Sequence, residues 1–164
     1  DVLITFSLIF FYLIPFIFTK VIKLNEFFTI KNFFISIVIF LSCVFYFDYN
    51  YLYSGGGIFL KFSNYFFNNN YLFYIISFLA ILLILPMILK NYFNLLLFVL
   101  IILSNPQYTI YHKYFDPFLL IAFFTIFNLD IDLDKISKNK SYLYIFSYFV
   151  IFLIISNLKH IWTI

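Results

Sequence analysis

The chain has no arginine, one glutamate, one cysteine, one methionine, one tryptophan and three glycines, and only 10% of its 164 residues are charged. Ordinary soluble domains carry about 25% charged residues. Here 65% of the residues are hydrophobic and the mean hydropathy is +1.05. Ten lysines and seven acidic residues are too few to cover such a core in water. These shortages exclude a water-soluble globule and a disordered chain, and point to an integral membrane protein. Cys43 stands alone, which excludes an intrachain disulfide and a cysteine metal site. Three glycines cannot build Gly-x-x-x-Gly packing faces, so helix contacts must rest on Ser, Ala and aromatic side chains. The net charge of +3 is scattered, which excludes a nucleic-acid partner.

What is abundant is Phe, Ile, Tyr, Asn and Lys, together 94 of the 164 residues. All five use A/T-rich codons, so the 27% aromatic content is discounted as a sign of an aromatic binding surface. The chain starts at Asp1, within a residue or two of an apolar run and without a basic leader. It is therefore expected to be the C-terminal part of a longer membrane protein, with 1–164 forming a single transmembrane domain.

The expected fold class is all-α, a polytopic transmembrane helical bundle of about six spans. A span needs about 20 apolar residues, with a range of roughly 17–25. Val2–Thr19, Phe33–Phe47 (longer if it starts at Phe27), Tyr71–Leu89 and Tyr142–Leu158 meet or approach this length. Tyr92–Ser104 and Pro117–Leu129 have only 13 residues each. They form either two short tilted spans, the favoured choice, or a re-entrant hairpin.

Lysine placement orients the bundle, because cytoplasmic loops carry the excess of basic residues. Loops 20–32, 90–91 and 130–141 hold seven lysines, against three on the other side (Lys61, Lys113 and Lys159). The first set is expected in the cytoplasm. Loops 48–70 and 104–116 then share the outer or lumenal side, where they can form one site.

The first outer loop carries Asp48, the run Gly55-Gly56-Gly57, Lys61 and the run Asn68-Asn69-Asn70. Consecutive glycines permit positive φ and a close backbone approach, and their amides can cradle a phosphate with Lys61 nearby. The same glycines also fit a flexible turn between a surface helix and a span. The second outer loop carries Asn105, Gln107, Tyr108, Tyr111, His112, Lys113 and Asp116. Ionisable groups near membrane depth are functional candidates, although Tyr, Lys and His also populate an ordinary headgroup belt. Asp130, Asp132 and Asp134 lack the glycine and terminal glutamate of a calcium loop and fit a solvated connector. Glu26 fits the same role, and Lys159, His160 and Trp162 fit an interfacial anchor. No metal-ligand spacing, catalytic triad or Cys-His pair is present, and no cofactor or metal is expected.

In order and spacing, Gly55-Gly56-Gly57, then Tyr71-Leu-Phe-Tyr74-Ile-Ile-Ser77-Phe78, then Asn105-Pro-Gln-Tyr108-Thr109-Ile-Tyr111-His112-Lys113 resembles the C-terminal part of the dolichyl-phosphate-glucose α-1,2-glucosyltransferase family. These are GT-C type membrane glycosyltransferases. The similarity covers about 70 residues, and Asn105, Tyr108, Thr109 and Tyr111 match the last motif directly. Pro106 and Gln107 replace that family's Arg-His pair, which leaves the role of that pair unassigned here. The resemblance implies a polyprenyl-phosphate-linked sugar and a glycan or lipid acceptor as partners, besides membrane lipids. It also implies catalytic carboxylates in a first outer loop upstream of Asp1, with Asp48 and Asp116 as the weak candidates within this chain. The alternatives are a non-enzymatic multi-pass component, such as a polysaccharide transporter or respiratory-type subunit, and an O-antigen-type polymerase. Repeats or mid-span charges would favour the transporter or subunit, and outer-loop arginines the polymerase; none of these features is present.

Overall fold

The computed structural model describes residues 2–22, 29–50, 55–103, 126, 133–138 and 140–162. Every regular element among them is helical, as the composition predicts. The helices are α1 (Val2–Phe18), α2 (Ile30–Phe45), α3 (Gly57–Phe67), α4 (Tyr71–Leu89), α5 (Tyr92–Leu103), α6 (Leu133–Lys138) and α7 (Ser141–Trp162). The expected spans at Val2–Thr19, Phe33–Phe47, Tyr71–Leu89 and Tyr142–Leu158 fall on α1, α2, α4 and α7. The shorter Tyr92–Ser104 falls on α5, whereas Pro117–Leu129 lies outside the described residues apart from Ile126. Among the described residues, α4 alone is both long and apolar enough to cross a membrane. Helices α1, α2 and α5 and the Ser141–Ile155 part of α7 are apolar but shorter.

Two compact units are present. The first is Asp1–Tyr12 with Asn25–Leu129, and the second is Leu13–Leu24 with Asp130–Ile164. In the first unit α4 is the hub, packing against α2, α3 and α5. Its second half is almost wholly buried, from Ala80 through Leu85 and again at Met87 and Ile88. The α1 residues of this unit are equally enclosed, with Leu3, Ile4, Leu8 and Ile9 at 1% exposure or less.

Helices α2 and α4 run antiparallel, as their aromatic pairs require. Phe33 and Phe40 meet Phe78 at 6.1 and 5.3 Å between ring centroids, and Phe47 meets Phe73 at 5.4 Å. Ser36 lies on the Phe33–Phe40 face of α2, and Ser77 lies one turn beyond Phe73 on α4. Both serines and Ala80 are fully buried. Small residues let two helices approach where glycine is lacking, while tilted and edge-on aromatic rings fill the flanks. Neither serine hydroxyl makes a hydrogen bond, so size rather than polarity explains these residues.

Several helix ends among the described residues are closed by side chains. The Thr29 hydroxyl accepts from the Asn32 amide at 3.2 Å and caps α2. The three asparagines between α3 and α4 build a compact corner. Asn68 takes the left-handed conformation (φ 51°) that ends α3, and its amide donates to the Asn64 carbonyl. The Asn64 side-chain amide donates to the Leu60 carbonyl at 3.1 Å and to Asn70 Oδ1 at 2.6 Å. The Asn69 side-chain oxygen accepts from the Tyr71 amide at 3.0 Å. Ser63 Oγ joins the two helices, donating to the Asn69 carbonyl at 2.6 Å and accepting from the Phe73 amide at 3.2 Å. At the far end of α4, buried Asn94 of α5 donates to the Met87 carbonyl at 3.1 Å. Asn91 caps α5 by accepting from the Phe93 amide at 2.9 Å.

In the second unit α6 packs on α7. Here α1 ends in a Schellman turn: Lys20 is left-handed (φ 55°), its amide donates to the Ile17 carbonyl, and the Val21 amide reaches back to the Phe16 carbonyl. Lysine holds a place that glycine usually fills.

Two substitutions test this packing by denaturation in detergent followed by circular dichroism. Ser77→Leu is expected to cost about 1–3 kcal/mol by overpacking, whereas Ser77→Ala stays within about 1 kcal/mol of the parent. Equal losses would make the hydroxyl, not its size, the reason for serine. Asn94→Leu is expected to cost about 1–3 kcal/mol, because the Met87 carbonyl loses its buried donor.

Candidate functional site

The sequence places its functional candidates in two outer segments. The second of these, with Asn105, Gln107, Tyr108, Tyr111, His112, Lys113 and Asp116, lies outside the described residues. The first is described at 48–50 and 55–70, which include Asp48, Gly55–Gly57 and Lys61.

Beyond α2 the chain continues in irregular conformation through Phe47, Asp48 and Tyr49. Asp48 is exposed, whereas the neighbouring Tyr49 is buried at 8% exposure. Gly55, Gly56 and Gly57 all have positive φ, at 123°, 81° and 79°, and all three are buried. Glycine is required at this bend because an L side chain adopts that region only with strain.

The bend also needs the missing side chains for space. A β-carbon on Gly56 would lie 2.8 Å from Tyr49 Cε1 and 3.0 Å from Leu60 Cδ2. On Gly57 it would meet Leu8 and Ile4 of α1 at 3.5–3.7 Å, an ordinary contact distance. Phe59 then sets its ring 6.4 and 6.1 Å from those of Phe10 and Phe11. The glycine run is thus a packed joint: the Tyr49 ring lies over Gly56, and Gly57 lies against α1.

Gly56 serves as the N-cap residue of α3 and supplies no side-chain cap. Lys61 follows one turn after Gly57 and is half-buried. The structure therefore brings the glycines together with Tyr49, the neighbour of Asp48, and sets Lys61 on the helix that the glycines open. Among the described residues, no three His, Cys, Asp or Glu side chains gather in a way that could hold a metal ion.

Tyr49, Leu8 and Ile4 carry no distinguishing sequence signal among so many apolar residues. The three asparagines were visible in the sequence, but their work as the α3–α4 corner follows only from the hydrogen bonds of Ser63, Asn64 and Asn69.

The two glycines are expected to differ on mutation. Gly56→Ala combines backbone strain with a clash and should cost about 2–4 kcal/mol, whereas Gly57→Ala carries the strain alone and should cost about 1–2 kcal/mol. Thermal unfolding in detergent measures both, and the reverse ranking would remove Tyr49 from its place over Gly56. Compared with known protein families, characterised proteins and solved structures, the chain finds no match.

Proposed function

We propose that the chain is a multi-pass integral membrane protein. One observation carries this reading: large apolar side chains remain exposed along α2, α3, α4, α5 and α7. On α2 they form one helical stripe of Phe34, Val38, Leu41 and Phe45, each between 59% and 83% exposed. On α5, Leu96, Leu100 and Leu103 continue the pattern. Soluble monomers rarely expose contiguous apolar patches larger than a few hundred Å², and lipid acyl chains are the surroundings that such faces fit. In this arrangement loops 20–32, 90–91 and 130–141 face the cytoplasm, and loops 48–70 and 104–116 face the outer or lumenal side.

Within that reading the chain acts as the membrane region of a glycosyltransferase that draws sugar from a lipid-phosphate donor on the outer face. The support is the resemblance carried by the glycine run and the Asn105–Lys113 segment, together with the basic groups of the two outer loops. A polyprenyl tail lies along the apolar helices, and Lys113, His112 and Lys61 offset the charge of the departing phosphate. A carboxylate near the acceptor hydroxyl takes its proton; Asp48 and Asp116 are the outer-side carboxylates of this chain besides Asp1. One observation favours a second reading, a non-enzymatic membrane component: Tyr49, Leu60, Leu8 and Ile4 fill the space beside Gly56 and Gly57, which accounts for these glycines without a ligand.

Transfer assays separate the two. With the full-length protein in lipid nanodiscs and a polyprenyl-phosphate-linked glucose as donor, His112→Ala and Lys113→Ala are each expected to lower sugar release by about 10²-fold. Absence of any release by the parent protein, under conditions where it stays folded, would favour the non-enzymatic reading.

A further inference from the structure

In the multi-pass reading the segment between α2 and α4 is an outer connection, and α3 within it is tied at both ends to the start of another helix. At its N-terminus Gly57 lies beside Ile4 and Leu8, about 3 to 9 Å along α1 from Val2. The Phe59 ring lies beside those of Phe10 and Phe11, whose Cα–Cβ bonds tilt toward the start of α1. At its C-terminus α3 passes through the Asn68–Asn70 corner to Tyr71, the first residue of α4. Ser63, in the middle of α3, accepts from the amide of Phe73 in the first turn of α4. Helices α1 and α4 both start on the outer side in that reading. Helix α3, eleven residues and about 16 Å long, therefore runs across the bundle there rather than along it.

The two faces of α3 differ. Gly57, Leu60 and Ser63 are buried, whereas Phe62, Tyr65 and Phe66 are 46%, 83% and 62% exposed. The exposed rings stand at i, i+3 and i+4 and form one aromatic surface. Phe62 and Phe66 are 4.4 Å apart between ring centroids, and Tyr65 and Phe66 are 5.2 Å apart. What covers this surface follows from where it lies. Just past the corner, α4 carries its own exposed stripe of Tyr71, Ile75 and Leu79, which lipid covers where α4 spans the membrane. Between the two stripes Asn68 is exposed, and the acyl core offers an exposed amide no partner. The corner therefore sits at the polar edge of the bilayer, and the aromatic face beside it meets the level where Tyr rings collect in membrane proteins.

We infer that α3 is an interfacial helix: it lies in the plane of the outer membrane surface, and Phe62, Tyr65 and Phe66 sit in the boundary between phospholipid headgroups and acyl chains. The inference rests on the multi-pass reading of α1 and α4. It keeps Lys61, one residue before Phe62, at headgroup level, on the side where the phosphate of a lipid-linked donor arrives. The outer segment is then a lipid-binding surface of the protein rather than a loop in water.

Tryptophan depth measurements on the full chain test it. In a Trp162→Phe background, Phe62→Trp, Phe66→Trp and, as a deep control on α4, Leu79→Trp are introduced one at a time, all at exposed sites. Leu79 lies about 12 Å along α4 from Tyr71. The proteins are reconstituted in phosphatidylcholine vesicles brominated near the headgroup or near the chain ends. Phe62→Trp and Phe66→Trp are both expected to be quenched about twofold or more better by shallow than by deep bromines, and Leu79→Trp the reverse. Deep quenching at either α3 site would carry that part of the helix into the bilayer. Quenching of both by acrylamide but not by lipid would return the face to water, and quenching by neither would place protein over it. Each of these results, with Leu79→Trp still quenched by lipid, overturns the interfacial placement alone. If lipid quenches none of the three, the membrane reading falls with it.

Discussion

Each helix end leaves backbone amides and carbonyls without intrahelical partners, and an apolar environment supplies none. In a chain with seventeen charged residues, this requirement falls on a few short polar side chains. Asparagine meets most of it, because its side chain both donates and accepts and its backbone tolerates the left-handed region. Asn64, Asn68, Asn69 and Asn70 close the α3–α4 corner, and Asn91 and Asn94 close the α4–α5 corner. The hub position of α4 follows, because both of its ends are held by these corners while its flank receives α2.

Between the corners, packing has few small residues to use. All three glycines are spent on one bend, so Ser36, Ser77 and Ala80 provide the close approach at other places and aromatic rings fill the space beside them. The serines remain without hydrogen bonds, a cost accepted for their size. At the glycine bend the logic reverses: the Tyr49 ring fills the volume that any side chain on Gly56 would need.

The helical character and the positions of α1, α2, α4, α5 and α7 were legible from apolar runs, because long uncharged stretches allow few other structures. Reliance on Ser, Ala and aromatic contacts was legible too, from the scarcity of glycine. Helix α3 was legible only as one choice, a surface helix beside the glycine turn, since ten mostly apolar residues with Lys61 and Asn64 among them fit a loop as well. Its boundaries were nonetheless written in the chain, as Gly55–Gly57 before it and Asn68–Asn70 after it. The candidate site was legible only as residue types. Which glycine is sterically required depends on Tyr49 and Leu60, two residues that resemble dozens of others.

The bonds of Ser63 with Asn69 and Phe73, and of Asn64 with Asn70, all join groups ten residues apart or fewer. Closing so short a loop carries little entropic cost, and structures built from local contacts form early. The α3–α4 pair therefore holds everything it needs to close before α5 has been synthesised. It would form as a finished hairpin, and α5 would be added to a surface already in place.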